Sequence, residues 1–351
     1  MSAPISSSQN IKRQLKPIKV RYKAGFLYAL IYKDVIMSKM KKNDLKLLFM
    51  GTPEISAYVF EKMIQDGYHF VGLVAQPDHP VGRKGLVEKV PTKVIAEKYD
   101  IPVFQPTKIR LDYSFIDEIK PDLVITLAYG QIVPQGFLDK IPMGCLNLHG
   151  SLLPKYRGAS PVQSALINNE KVTGVTLMEM IKEMDAGRMY AKKEIEITED
   201  DNATSLFNKV KIAASELVLE ALPKYISGEL KGEKQNEEEV TFCSIIKPEQ
   251  EKIDLSLSKE SIVGWIRGLS DEPGAYLYLN NFKLKIYKAK VIDDSVTKEI
   301  GTILKADKFG LYMQAKDGVI ALLEIQKEGK KRMDYRSFIN GNQNLLGQKL
   351  S

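Results

Sequence analysis

The sequence predicts an α/β protein: a Rossmann-like, doubly wound and mostly parallel sheet, followed by a small OB-like β-barrel. Three observations carry this. From residue 46 to about 225, short wholly apolar runs alternate with segments of helical periodicity, the pattern of strands buried on both faces and joined by crossover helices. Residues 228–239 (GELKGEKQNEEE) then carry almost nothing apolar, which marks a linker. Beyond them come short alternating runs rich in Tyr, Val and Ile with turn residues between, as in small barrels. The expected domains are an extension over 1–43, a catalytic domain over 44–227, a linker over 228–240 and a barrel over 241–346.

Element by element, 46–50 (KLLFM) is a buried strand ending at Gly51. Residues 55–66 place apolar side chains at 55, 59, 60, 63 and 64, a helical stripe stopped by Gly67. Strands follow at 70–75, 123–127 and 145–148, and helices at 92–99 and 161–167, the latter with proline in its first turn. Residues 172–179 alternate like a strand, and 203–225 form a long amphipathic helix. In the second part, strands are expected at 276–279, 284–291, 301–305, 311–315 and 319–325, with helices at 261–269 and 335–340. No repeat with a period of 20–50 residues is present.

The 351 residues, 44% hydrophobic and 27% charged, describe an ordinary globular chain of roughly two domains and exclude a disordered or collagenous one. The longest uncharged apolar run near the N-terminus, 25–32, is far below the ~20 residues a membrane span needs, so no membrane partner is expected. Cys145 and Cys243 cannot make a disulfide framework or a zinc site. With only His69, His79 and His149, no metal is expected. The net charge is +7, yet it divides unevenly: +9 over 1–42, −6 over 43–240 and +4 over 241–351. The basicity therefore belongs to the extension and, more mildly, to the C-terminal part. The extension has three readings: an organellar transit peptide, an upstream start ahead of Met37 or Met40, or a basic arm that touches nucleic acid. The expected compartment is the cytoplasm, or a mitochondrial or plastid matrix if residues 1–43 are a transit peptide.

Chemistry concentrates in 144–161, GCLNLHGSLLPKYRGASP. Asn147 and His149, two apart near a strand end, face the same way. The asparagine amide suits a developing oxyanion, and the imidazole titrates near neutrality. Asp185, in the turn-forming stretch 183–187 (EMDAG), is a candidate orienting carboxylate, although many aspartates in turns only shape the turn. The Gly-Thr-Pro turn at 51–53 has one glycine where dinucleotide binding wants three, so a nicotinamide-type fingerprint is excluded.

These segments, in order, resemble the methionyl-tRNA formyltransferases: Met50-Gly-Thr-Pro53, Gln76-Pro-Asp78, Ala128-Tyr-Gly-Gln131 with Pro134, Asn147-Leu-His-Gly-Ser-Leu-Leu-Pro154, Arg157-Gly158, Pro161 and Met184-Asp-Ala-Gly187. The resemblance continues through Trp265-Ile-Arg-Gly-Leu269, Pro273-Gly-Ala275 and Gly329-Lys-Lys-Arg-Met333, covering about residues 45–345. It implies transfer of a formyl group from N10-formyltetrahydrofolate to the α-amino group of initiator methionyl-tRNA by a monomer. Asn147, His149 and Asp185 would form the catalytic trio. Ser151, Leu152, Leu153 and Pro154, with Tyr129 and Gly130, would border the tetrahydrofolate carrier. Arg83, Lys84 and Lys89 in the 78–93 loop, and Arg267, Lys331 and Arg332 in the barrel, would meet tRNA phosphates. One departure stands out: Ser270-Asp-Glu-Pro-Gly-Ala275 replaces the usual Asn-Pro-Trp-Pro-Gly-Ala. The alternative acceptor is a small amino group, such as that of an amino sugar, which has no need of a basic docking module.

Overall fold

A computed structural model describes residues 44–81 and 86–351. The extension over 1–43, together with Arg83 and Lys84, lies outside the described residues. By compactness the chain divides into two units: 44–149, 175–193 and 211–237 form one, and 150–174, 194–210 and 238–351 the other. The sequence-expected boundary at 228–240 therefore coincides with only one of several crossings.

The first unit begins with β1 (Leu47–Gly51), α1 (Glu54–Gln65) and β2 (Phe70–Val74). The expected loop 78–93 is partly ordered structure: β3 (His79–Val81) and β4 (Leu86–Glu88) pair antiparallel, and α2 (Pro91–Lys98) follows with proline in its first turn. Next come β5 (Val103–Phe104), α3 (Phe115–Ile119), β6 (Leu123–Leu127), α4 (Gln135–Leu138) and β7 (Cys145–His149). After β8 (Arg157–Gly158) and α5 (Pro161–Ile167), β9 (Val172–Glu179) and β10 (Met189–Glu196) return to the sheet. Its strand order is β10-β9-β7-β6-β1-β2-β5. The β1–β2, β1–β6, β6–β7 and β2–β5 pairs are parallel, and β7–β9 is antiparallel.

All five residues of β1 and of β6 are buried, as expected for strands covered on both faces. On one face Leu48, Met50, Val124, Cys145, Tyr129 and Phe137 share a core cluster. On the other, the Phe49 ring stacks on Phe60 at 4.7 Å and meets Phe70 edge-on. Gly51 ends β1 because a Cβ there would sit 2.7 Å from both the Leu127 carbonyl and Ser56. Ser56 Oγ then donates to that carbonyl at 2.6 Å. This fixes the start of α1 against the end of β6, at the C-terminal edge where such sheets hold ligands.

The long helix α6 (Ala203–Ile226) leads to the polar stretch and then β11 (Phe242–Cys243), which pairs with β8. In the second unit α7 (Lys259–Leu269) precedes β12 (Ala275–Leu279), β13 (Phe282–Asp293), β14 (Ile303–Asp307), β15 (Gly310–Ala315), β16 (Gly318–Lys327), β17 (Met333–Asp334) and α8 (Tyr335–Asn340). The antiparallel order is β12-β13-β16-β15-β14, with β17 on β16. The last residues, placed outside the barrel by sequence, close it. Leu350 bridges Leu279 and Lys349 bridges Thr302, so the C-terminal segment joins the two edge strands and removes open edges.

Candidate active site

The strand end of β7 carries the site. Cys145, Asn147 and His149 alternate onto one face, and Thr126 and Met178 flank Asn147 in register. His149 is buried, 5% exposed, while Asn147 is half-buried. Asp185 lies in the loop between β9 and β10, and its Oδ2 is 3.6 Å from His149 Nδ1. That is an ion-pair distance for a protonated imidazole, slightly long for a hydrogen bond. The three expected catalytic residues thus fall in one unit, with His149 and Asp185 side by side and Asn147 two residues before His149.

Asp185 is presented by a constrained turn. Its φ is +53°, a left-handed conformation that costs an L-residue about 1–2 kcal/mol. Two residues on, Gly187 is obligatory for steric reasons: a Cβ there would stand 1.9 Å from the Glu179 carbonyl oxygen. Gln235 holds both backbones. Its Nε2 donates to the carbonyl of Asp185 at 2.7 Å and to that of Gly187 at 2.9 Å. Met189 and Glu233 exchange backbone hydrogen bonds of 2.8 Å, and Arg188 Nη1 donates to the Gly232 carbonyl at 2.9 Å. The expected linker is therefore packed against the Asp185 turn over 232–235. Sequence reasoning missed Gln235, one of two adjacent amides in a charged stretch with no periodicity to flag it.

A second polar network fixes the loop after β6, where Ala128 and Gly130 have φ of +48° and +90°. The Tyr129 carbonyl accepts from Thr52 Oγ1 at 3.2 Å and Gln76 Nε2 at 3.1 Å. Gln131 Nε2 donates to Gln76 Oε1 at 3.0 Å, and its Oε1 accepts from the Ile109 backbone at 2.8 Å. These bonds bring together in space three motifs far apart in the sequence, Gly-Thr-Pro, Gln-Pro-Asp and Tyr-Gly-Gln, each supplying one corner. Asp78 closes the network. Burial pushes its carboxyl up, but Lys93, Gln105 and the Val90 N–H outweigh that and leave it below the ordinary carboxylate range.

Beside this loop opens a cleft of about 390 Å³ lined by Gln76, Thr107, Lys108, Arg110, Gly130, Gln131 and Ile132. Ile132 is 81% exposed, an apolar surface beside two cations. The volume is within the range of small-molecule sites, and Lys108 and Arg110 suit an anionic group. Two hydroxyls of the same segment, Thr126 Oγ1 and Tyr129 Oη, are buried with no hydrogen-bond partner among the described residues. No group of three or more His, Cys, Asp or Glu among the described residues is placed to hold a metal.

Several of the other expected residues have partners of their own. In the second unit Ser151 is buried, donating from Oγ to the Lys155 carbonyl at 2.6 Å. Lys89 is exposed and paired with Glu97 at 2.7 Å. Arg267, expected at a tRNA phosphate, is held within its own unit. Its Nε donates to the Asp201 carbonyl at 2.7 Å and its Nη2 to the Thr198 carbonyl at 2.6 Å. Arg332 is similarly engaged, paired with Glu324 and Asp271 and stacked 4.4 Å over the Tyr287 ring. Asp271, part of the departure from the family pattern, is the acid that receives it, and the Arg332 guanidinium holds its carboxyl below the usual range. Lys331 is exposed. Among the described residues no helix is long and apolar enough to cross a membrane.

Comparison with known proteins shows the family. Residues 45–222 match the formyl transferase family and residues 245–343 match the formyl transferase C-terminal domain. The methionyl-tRNA formyltransferase of Lactobacillus acidophilus is 43% identical over 298 residues, covering 84% of this chain and 95% of that one. That of Bacillus subtilis is 41% identical, covering 84% and 94%. Among solved structures, an N-formyltransferase from Helicobacter canadensis, in complex with folinic acid and dTDP-3-aminofucose, superposes with a TM-score of 0.60. It is 20% identical and covers 81% of this chain and 99% of that chain, a likeness of fold. The chain belongs to the methionyl-tRNA formyltransferase family, with the family's formyl transferase domain and its C-terminal domain both present.

Proposed function

We propose that this enzyme passes the formyl group of N10-formyltetrahydrofolate to the α-amine of initiator methionyl-tRNA through Asn147, His149 and Asp185. The observation that carries the assignment is the 3.6 Å approach of Asp185 Oδ2 to His149 Nδ1 at the end of the strand that also bears Asn147. With Nδ1 turned to the carboxylate, Nε2 is left to face the reacting groups. The esterified α-amine is nucleophilic near neutrality, so direct attack on the formyl carbon needs no covalent enzyme intermediate. Negative charge then grows on the formyl oxygen. The Asn147 amide and a protonated His149 stabilise it, and the spacing to Asp185 shortens in the reacting complex, as apo catalytic contacts commonly do. Asp185 orients the imidazole and supports proton movement from the amine to the departing folate nitrogen.

The cleft beside Gly130 and Ile132 suits the carrier, with Lys108 and Arg110 facing its carboxylates. On the resemblance, Ser151, Leu152, Leu153 and Pro154, which continue directly from β7, also border it. Of the six residues the resemblance gives to tRNA phosphates, Arg83, Lys84, Lys89 and Lys331 are the ones assigned to them in this reading. The test is an acceptor panel: formyl-tetrahydrofolate with charged initiator tRNA, charged elongator tRNA, a nucleotide-linked amino sugar, or water. Formylation of the initiator tRNA alone supports the reading. Preferential formylation of the amino sugar would replace it with the small-acceptor alternative.

A further inference from the structure

We propose that Gln235, outside the strands and helices of the fold, is a positioning residue for the catalytic turn. The inference rests on the role given to Asp185. Gln235 is buried, 8% exposed, and a neutral primary amide has two N–H donors on one nitrogen. Both are used on the same turn, at the carbonyls of Asp185 and Gly187. The turn needs an outside restraint, since Asp185 sits at φ +53° and such conformations persist only where the surroundings over-determine them. Its own hairpin supplies part of that restraint through the Glu179 N–H, which donates to the Arg188 carbonyl at 2.8 Å. The rest comes from the segment that leaves α6, through the Met189–Glu233 bridge and Gln235. The Asp185 backbone is thus tied on its carbonyl side, and the position of its carboxylate relative to His149 Nδ1 follows from that tie. A displacement near 1 Å at a catalytic group costs up to ~10²-fold in rate.

The experiment compares Gln235→Met, which keeps size and apolar volume but has no donor, with wild type. Turnover, both KM values, active-site concentration and melting temperature are measured, with Asp185→Ala and the double variant in parallel. The expected result is a kcat lowered by about ten- to a hundredfold per active site, with the KM for formyl-tetrahydrofolate and for charged tRNA unchanged within twofold. In the Asp185→Ala background the Gln235 change has no further effect on the residual rate, because the group it positions is gone. If Gln235→Met fails to fold, Gln235→Glu serves: it is the same size and sets carboxylate oxygens against both carbonyls. A wild-type kcat overturns the proposal, as does a loss of rate explained wholly by fewer active sites. An Asp185→Ala enzyme of normal activity would instead overturn the role of Asp185 itself, which the parallel arm reports separately.

Discussion

Lowering the pH should release a defined amount of stability at Asp201. This carboxylate is 5% exposed, accepts from the Thr198 N–H at 2.7 Å, Thr198 Oγ1 at 2.9 Å and Ser205 Oγ at 2.8 Å, and pairs with Lys209. Burial alone would raise its pKa, but the four donors outweigh burial and bring it from 3.8 down to about 2. The folded value lies below the unfolded one, so the native state holds its proton less tightly. The stabilisation is therefore complete above the unfolded pKa and disappears as pH falls through the folded one. The difference of nearly two pH units corresponds to about 2 kcal/mol. Urea unfolding followed by fluorescence reports this locally, because the one tryptophan of the chain, Trp265, lies in the same unit. Wild type should exceed Asp201→Asn in stability at pH 6, and the gap should narrow by about 2 kcal/mol between pH 5 and pH 2. A gap that stays constant with pH, or widens in acid, would refute the reasoning.

Arg267→Met should cost about 2–4 kcal/mol of stability, through two charge-assisted bonds to the Thr198 and Asp201 carbonyls, and leave tRNA affinity unchanged within twofold in a binding titration. Lys331→Ala should do the reverse, leaving the melting temperature in place while the slope of log affinity against log salt falls by about one. Deleting 349–351 should lower the melting temperature by at least about 6 °C. Leu350, 1% exposed, and the Ser351–Tyr278 backbone pair at 2.8 and 2.9 Å are then lost, and two strand edges open.

The strands that position the site were legible because burial on both faces writes itself as unbroken apolar runs, as in LLFMG and LVITL. β10 was not. Its sequence MYAKKEIE is half charged because the strand forms the sheet edge, half open to water. The β3–β4 hairpin escaped for a related reason, since Leu86 and Val87 are exposed and mark no core. Asn147 and His149 could be paired from the period of a strand, whereas Asp185 meets His149 only through the return of β9, which no local pattern encodes. The turn-forming stretch 183–187 made Asp185 a candidate, and the resemblance gave it a place in the trio. For Arg267 and Arg332 sequence shows a positive charge but not the carbonyls of Thr198 and Asp201, nor Glu324 and Asp271, that engage it. Gln235 was invisible because its role lies in two backbone carbonyls far along the chain.

Single-turnover transfer from saturating formyl-tetrahydrofolate to charged initiator tRNA, compared between wild type and Asn147→Ala, examines the central claim most directly. Loss of one oxyanion donor predicts a rate lower by about 10²–10³-fold with carrier binding retained. A variant that binds the carrier and transfers the formyl group at the wild-type rate would contradict it.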